Sequence, residues 1–298
     1  MSQKIKIMIL GGARENGKNM YAVQVEDEIF IMDAGLKYPD SSLLGIDVVI
    51  PDLQFFQDYA DKIAGIFLTH GHADSIGALP YILRDHDIPV FGSKLTIELA
   101  KIAVQRENRR RKNDLFHVID ADTEIEFKNA NVSFFKTTHS IPDSLGIDIS
   151  TKEGEIVYTG DFKFDPSAKK GYRTDFVRLS EIAQKGVLAL LSDSTNAEAN
   201  FPNDRQTSNE KYIYNIFENY DGRIIAAAKA SNIVRVQEIF QAAAATGRHV
   251  FLTGRDAGKI VYTAMKLGYL NVPKGLLVHS KDLKKIPDNE LVILETGR

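Results

Sequence analysis

The chain has 298 residues, of which 44% are hydrophobic and 26% charged, with a formal net charge of −3, a composition that excludes disordered, collagenous and coiled-coil classes. With no cysteine, disulfides and thiolate metal sites are excluded together, and a transition metal would have to be held by His, Asp and Glu. No run approaches the roughly 18 apolar residues of a membrane span and the N-terminus lacks signal-peptide form, so a cytoplasmic protein without membrane contact is expected, and the small net charge means that any RNA-binding surface must be local.

From residue 4 to about residue 192 short apolar runs are separated by turn signals: "KIKIMIL", "YAVQVEDEIFIMDAG", "IAGIFLTH", "IPVFGS", "NVSFFKTTHS", "EIVYTGD" and "VLALLSD". The second predicts a hairpin around the acidic turn Glu26-Asp27-Glu28. "SKLTIELAKIAVQRENRRRK" is the clearest helix, and its basic end at residues 106–112 is either a phosphate-contacting patch or a solvated helix terminus. Two sheets with a few helices packed outside are expected. Within this half, "GARENGK" at residues 12–18 fits the G-x-x-x-x-G-K of a phosphate-binding loop. Asn19 stands where Ser or Thr would bind magnesium, however, and the following residues have strand period, so a glycine-rich turn between two strands is expected.

From about Thr207 the pattern changes to strands and helices in alternation. "TSNEKYIYNIFENY" opens with Thr207 and Glu210 at capping-box spacing. "RIIAAA", "HVFLTG", "GLLVH" and "LVILETG" predict parallel strands buried on both faces, and the segments between the first three have helical period. A small doubly wound α/β unit is expected, with the polar stretch at residues 195–206 dividing a domain at 1–200 from one at 201–298. The chain stops directly after a strand, where an open α/β sheet normally continues into a covering helix.

Three strand ends in the first half carry metal-ligand chemistry. His70, His72 and Asp74 alternate after "IAGIFLT", His139 follows "VSFFKTT", and Asp161 follows "EIVYTG". A strand end that projects into a loop can aim alternate side chains at one point, and these nitrogen and oxygen donors suit zinc or manganese. His86, His117, His249 and His279 lack such neighbours and read as surface or structural histidines.

"THGHADS", "THS" and "TGDFKFD" resemble the ligand motifs of the metallo-β-lactamase superfamily. "GGARENGKNMY", "GIDVVIPD", "HGHADSIGALPYIL", "THSIPDSLGI", "SDSTNAE" and "SNIVRVQEIF" extend the resemblance, in order and over essentially the whole chain, to the bacterial ribonuclease J family of its β-CASP group. The resemblance implies an α/β fold: a metallo-β-lactamase αββα sandwich, incomplete here, followed by part of a Rossmann-like β-CASP domain. It implies that His70, His72 and His139 hold a first ion, Asp161 bridges two ions and Asp74 binds the second, with Asp74 and Asp161 the catalytic carboxylates. Asp33 and Asp193 match acidic motif positions that orient ligand histidines by hydrogen bonds, the alternative for each being a turn aspartate. Ser231 and Asn232 fall where RNA phosphate would be met, although a helix N-cap accounts for Ser231 equally.

Family members with full activity carry a histidine, a ligand of the second ion, where this chain has Ser75, and draw a further one from a segment beyond residue 298. The resemblance is therefore to the low-activity paralogue, truncated within the β-CASP domain, with one Zn2+ or Mn2+ ion bound weakly or none. The implied activity is metal-dependent hydrolysis of RNA, 5′→3′ exonucleolytic or endonucleolytic, in mRNA decay and rRNA maturation. The alternative is a non-catalytic subunit that positions the active ribonuclease J paralogue, as a hetero-oligomer or beside a second copy of itself. A small-molecule hydrolase shares the metal motif but not the α/β unit after Thr207.

Overall fold

The computed structural model describes residues 2–40, 42–107, 113–165, 168, 172–198 and 207–297. These divide into two compact units, within Met1–Thr195 and Asn196–Arg298. In the first, β1 (Ile5–Gly11), β2 (Met20–Val25) and β3 (Glu28–Met32) form an antiparallel ribbon. The β2–β3 turn is two residues, because Glu28 already pairs with Val25, and Glu26 takes the left-handed conformation (φ 54°) that short hairpin turns use to match strand twist. The turn is thus tighter than the three-residue one expected. β3 then pairs in parallel with β4 (Ile63–Phe67), β4 with β5 (Val90–Gly92), and β5 with β6 (Phe116–Val118). A second sheet runs β7 (Glu124–Glu126), β8 (Asn131–Lys136), β9 (Leu145–Thr151) and β10 (Gly154–Tyr158) antiparallel, with β11 (Val187–Leu191) parallel to β10 at the edge.

The two sheets face each other across Val23, Phe30 and Phe67 on one side and Phe134, Ile147, Ile149 and Ile156 on the other. On the first sheet Ile29, Ile31 and Ile66, at alternate positions, are buried as well, as period-2 strands between two covering layers require. Four helices accompany this sheet: α1 (Gln54–Tyr59), α2 (Ala73–Ile76), α3 (Leu79–Asp85) and α4 (Lys94–Glu107). Ile182 and Leu179 of α5 (Phe176–Lys185) pack on Phe135 and Val157, outside the second sheet. The result is the expected αββα sandwich. Each fully buried Phe or Ile contributes on the order of 1.5–3 kcal/mol.

In the second unit β12 (Ile224–Ala227), β13 (His249–Thr253) and β14 (Leu291–Glu295) form a parallel sheet in the order β12-β14-β13. The helices here are α6 (Thr207–Asn219), α7 (Ile233–Ala245) and α8 (Ala257–Lys266); the side chain of Thr207, and with it the expected capping box, lies outside the described residues. "GLLVH" is not the full strand expected. It makes one parallel bridge, Leu277 to Val250, because its first residue, Gly275, is left-handed (φ 83°) and a 3-10 turn at Ser280–Lys285 follows, leaving no room for a ladder. No helix among the described residues is long and apolar enough to cross a membrane.

Beneath α5 the second sheet buries two carboxyl groups, Asp148 on β9 and Glu155 on β10. Ser133 donates to Asp148 (3.1 Å) and Ser150 to Glu155 (3.0 Å), while Asp148 Oδ1 and Glu155 Oε2 have no donor among the described residues. Burial, and then the adjacent Glu155 carboxyl, push Asp148 up to about 7, against the opposing pull of Ser133 and Lys185. A buried acid whose folded value is raised holds its proton more tightly when folded, so its contribution is present at low pH and is lost as pH rises from about 4 through 7. Asp148→Asn offers Glu155 a donor without a charge. It is expected to remove the pair's share of this decline, on the order of 1–3 kcal/mol between pH 5 and 8. Urea denaturation at the two pH values checks this, and an undiminished slope in the variant contradicts it.

Candidate metal centre

The ligand-bearing loop is shaped by backbone hydrogen bonds from the segment that follows β3. Ala34 N donates to Ser75 O (2.7 Å), Leu36 N to Ala73 O (2.9 Å), and Ala78 N to Ala34 O (2.7 Å). The glycine-rich turn closes the other side: Asn19 N donates to Asp74 O (3.0 Å), and Gly35 N to Asn19 O (2.9 Å). A Cβ on Gly35 would lie 1.5 Å from Asp74 O, so only glycine permits this approach. The phosphate-loop-like stretch is followed directly by β2, not by a helix, and its backbone clamps the ligand loop.

Within that frame His70, His72 and His139 come together, with ring centroids 4.8–4.9 Å apart. His72 Nδ1 and His139 Nε2 are 3.1 Å apart, close to the separation of about 3.3 Å that two nitrogens take on a tetrahedral ion at about 2.0–2.1 Å. His70 Nε2 lies 3.6 Å from Asp74 Oδ1 and 3.9 Å from Asp161 Oδ2. Asp161 Oδ2 is also 4.0 Å from His139 Nε2, which sets this carboxylate beside both rings. Two sets able to hold a metal ion result, His70–His72–His139 and His70–Asp74–Asp161, with the donor atoms of each within 4.8 Å of one another.

His70 Nε2 is buried, with no hydrogen-bond partner among the described residues. An orphaned ring nitrogen facing two carboxylates and two imidazoles fits a cation. Burial disfavours charge on His70, but the carboxylates of Asp74, Asp161 and Asp33 outweigh it and raise the ring to about 9. His139 is pushed the other way, to about 2, by burial and by His70 and His72.

Asp33 is fully buried and in the left-handed conformation (φ 59°). Its carboxylate accepts from Thr69 N (2.8 Å), Thr69 Oγ1 (3.0 and 2.9 Å) and Tyr158 OH (2.9 Å), and burial raises it to about 6. It reaches His70 through Thr69, whose Oγ1 is 2.9 Å from His70 Nδ1. Neither Thr69 nor Tyr158 is among the site residues that the sequence singles out. Ser75 is buried too, its Oγ 3.4 Å from the same Nδ1, on the ring edge away from Nε2. Asp193 accepts from Thr195 N (2.7 Å), as a turn aspartate does, and its own N–H donates to Thr159. In the second unit the α7 cap is Asn232, accepting from Arg235 N (3.0 Å), rather than Ser231 one residue earlier. Of the basic run, Arg106 pairs with its neighbour Glu107, and residues 108–112 lie outside the described residues.

An αββα sandwich with a His/Asp cluster at its strand ends is the arrangement of a metallo-β-lactamase-type metal protein. A family model of the metallo-β-lactamase superfamily matches residues 13–210, and one for the ribonuclease J β-CASP domain matches residues 221–298. The chain is similar to "Ribonuclease J 2" of Streptococcus pyogenes, 55% identical over 99% of the chain and 53% of the relative. It is similar also to proteins of the same name from Staphylococcus epidermidis and Staphylococcus aureus, each 45% identical over 99% of the chain and 53% of the relative. The chain therefore belongs to the metallo-β-lactamase superfamily, and spans about half the length of these relatives. A crystal structure of a protein of unknown function from Enterococcus faecalis V583 shares the fold, with a TM-score of 0.69 at 15% identity over 98% of this chain and 77% of that one.

A proton on His70 Nε2 competes with any ion for the same lone pair. Zinc affinity is therefore expected to rise about tenfold per pH unit between pH 6.5 and 8.5, with about one proton released per ion. Calorimetry in two buffers of different ionisation enthalpy measures both quantities, and an affinity flat across that range contradicts Nε2 as a ligand.

Proposed function

We propose that this chain provides the metal centre of a ribonuclease J-type phosphodiester hydrolase acting on RNA, weak by itself, in a cytoplasmic protein that works with a ribonuclease J paralogue. The observation that carries the reading is the convergence of His70, His72 and His139 on one point beside Asp161, with His70 Nε2 buried and unsatisfied. His70, His72 and His139 would hold a first zinc or manganese ion, Asp161 would bridge, and Asp74 would serve the second position. Bound there, divalent ions stabilise charge on phosphate oxygens and lower the pKa of an attacking water. The chain's own part is to fix the donors: the clamp from Ala34, Leu36 and Asn19 sets the loop, and the Asp74 and Asp161 carboxylates offset the cationic charge. Ser231 and Asn232 are proposed to meet RNA phosphate at the start of α7, and Asp33 and Asp193 to orient the ligand set. Relatives named ribonuclease J 2 support the substrate class.

Ser75 favours the second reading, a nearly silent subunit that stabilises and positions an active paralogue during RNA decay and rRNA maturation. Its hydroxyl faces His70 Nδ1, so among the described residues the second position has Asp74 and Asp161 beside His70. Losing a partner that merely orients a ligand typically costs about 10–100-fold in metal affinity, roughly 1.4–2.8 kcal/mol, and losing a ligand costs more. Ser75→His is expected to raise manganese occupancy, and calorimetry showing no gain in a folded variant would sink the vacated-ligand account. The two readings separate in the degradation of 5′-monophosphorylated RNA by the protein alone, with the paralogue, and with His72→Ala in each. Loss of activity on His72→Ala is the enzyme's outcome, and an unchanged rate in the complex assigns catalysis to the paralogue.

A further inference from the structure

The ligand histidine with the most buried surroundings, His70, is held from behind by a residue that no motif assigns. Asp33 receives three donors, from Thr69 N, Thr69 Oγ1 and Tyr158 OH, so it serves as a carboxylate acceptor. Thr69 Oγ1 lies within 3.0 Å of both carboxylate oxygens, so its proton is committed to Asp33. Its lone pairs are then what it offers His70 Nδ1 at 2.9 Å, and a contact of that length requires the ring nitrogen to donate.

We propose that Thr69 is a positioning residue that fixes the tautomer of His70, keeping the proton on Nδ1 and the lone pair on Nε2, where the carboxylates and the other two imidazoles converge. The direction runs Tyr158 OH to Asp33, Thr69 OH to Asp33, and His70 Nδ1–H to Thr69. Ser75 Oγ, at 3.4 Å, is the weaker neighbour of the same nitrogen. The Thr69 rotamer is itself confined. Gly160 packs its backbone against it, in a left-handed conformation (φ 57°) that leaves a Cβ only 2.7–2.8 Å from Thr69 Cβ, Cγ2 and Oγ1. Leu145 N holds the Thr69 carbonyl at 2.8 Å.

The inference deepens the metal-centre reading and rests on it for its consequence, but its first test needs no metal. In the unaltered metal-free chain, at a pH where the ring is neutral, nitrogen-15 imidazole spectra are expected to show His70 protonated at Nδ1; protonation at Nε2 overturns the proposal. Thr69→Val keeps the shape and removes the hydroxyl. It is expected to mix the tautomers and lower zinc affinity about 10–100-fold, with Thr69→Ser restoring most of both. An unchanged spectrum and zinc affinity in Thr69→Val overturns the proposal. If the unaltered chain shows Nδ1–H and Thr69→Val disturbs it while zinc fails to bind the unaltered chain, the tautomer assignment stands and the metal reading falls.

Discussion

A carboxylate with no exposure to water has to be met by donors, and Asp33 draws its donors from two further strand ends. It sits just after β3, takes two bonds from Thr69 beyond β4, and one from Tyr158 at the end of β10. Meeting that one buried charge pulls the edges of both sheets to the same place. The left-handed turn at Asp33 then sends the chain through Ala34, Gly35 and Leu36, whose amides bond the ligand loop and Asn19. The position of His70, His72 and Asp74 follows from this arrangement before any metal is considered.

The electrostatics of the cluster follow the same geometry. Two carboxylates and three imidazoles in one buried place cannot all keep their solution charge states, and the conflict resolves unequally. His70, facing Asp74 and Asp161, is driven toward the cation, and His139, facing the other two rings, toward the neutral form. A single proton on His70 stands in part for the charge that a divalent ion would bring.

Much of this was legible in the sequence because it is local. Period-2 runs ended by His and Asp identify the strand ends whose side chains the fold brings together, and the strand period after Asn19 separates a turn from a phosphate loop. The misreadings have tertiary causes. "GLLVH" has strand composition, but the turns that crowd it are set by where β13 and the 3-10 segment lie. The N-cap choice between Ser231 and Asn232 depends on which of two adjacent residues faces Arg235 N. Thr69 lies inside "THGHADS" and Tyr158 inside "EIVYTGD" without a signal for this role, since it exists only once Asp33, remote in sequence, is folded between them. At Asp193 the bond to a turn amide two residues on agrees with the turn reading that its sequence position also allows, and the proposed orienting role rests on the motif.

The clamp on the ligand loop is made of main-chain groups. Ser75 takes part through its carbonyl, bonded by Ala34 N, and its amide, bonded to His72 O, so the architecture at this position is written in atoms that every residue but proline possesses. Inheritance can therefore alter the side chain at position 75 without dismantling the fold that displays it. A substitution there changes what the side chain offers to the histidine and carboxylate cluster, while the main-chain frame that displays it is kept.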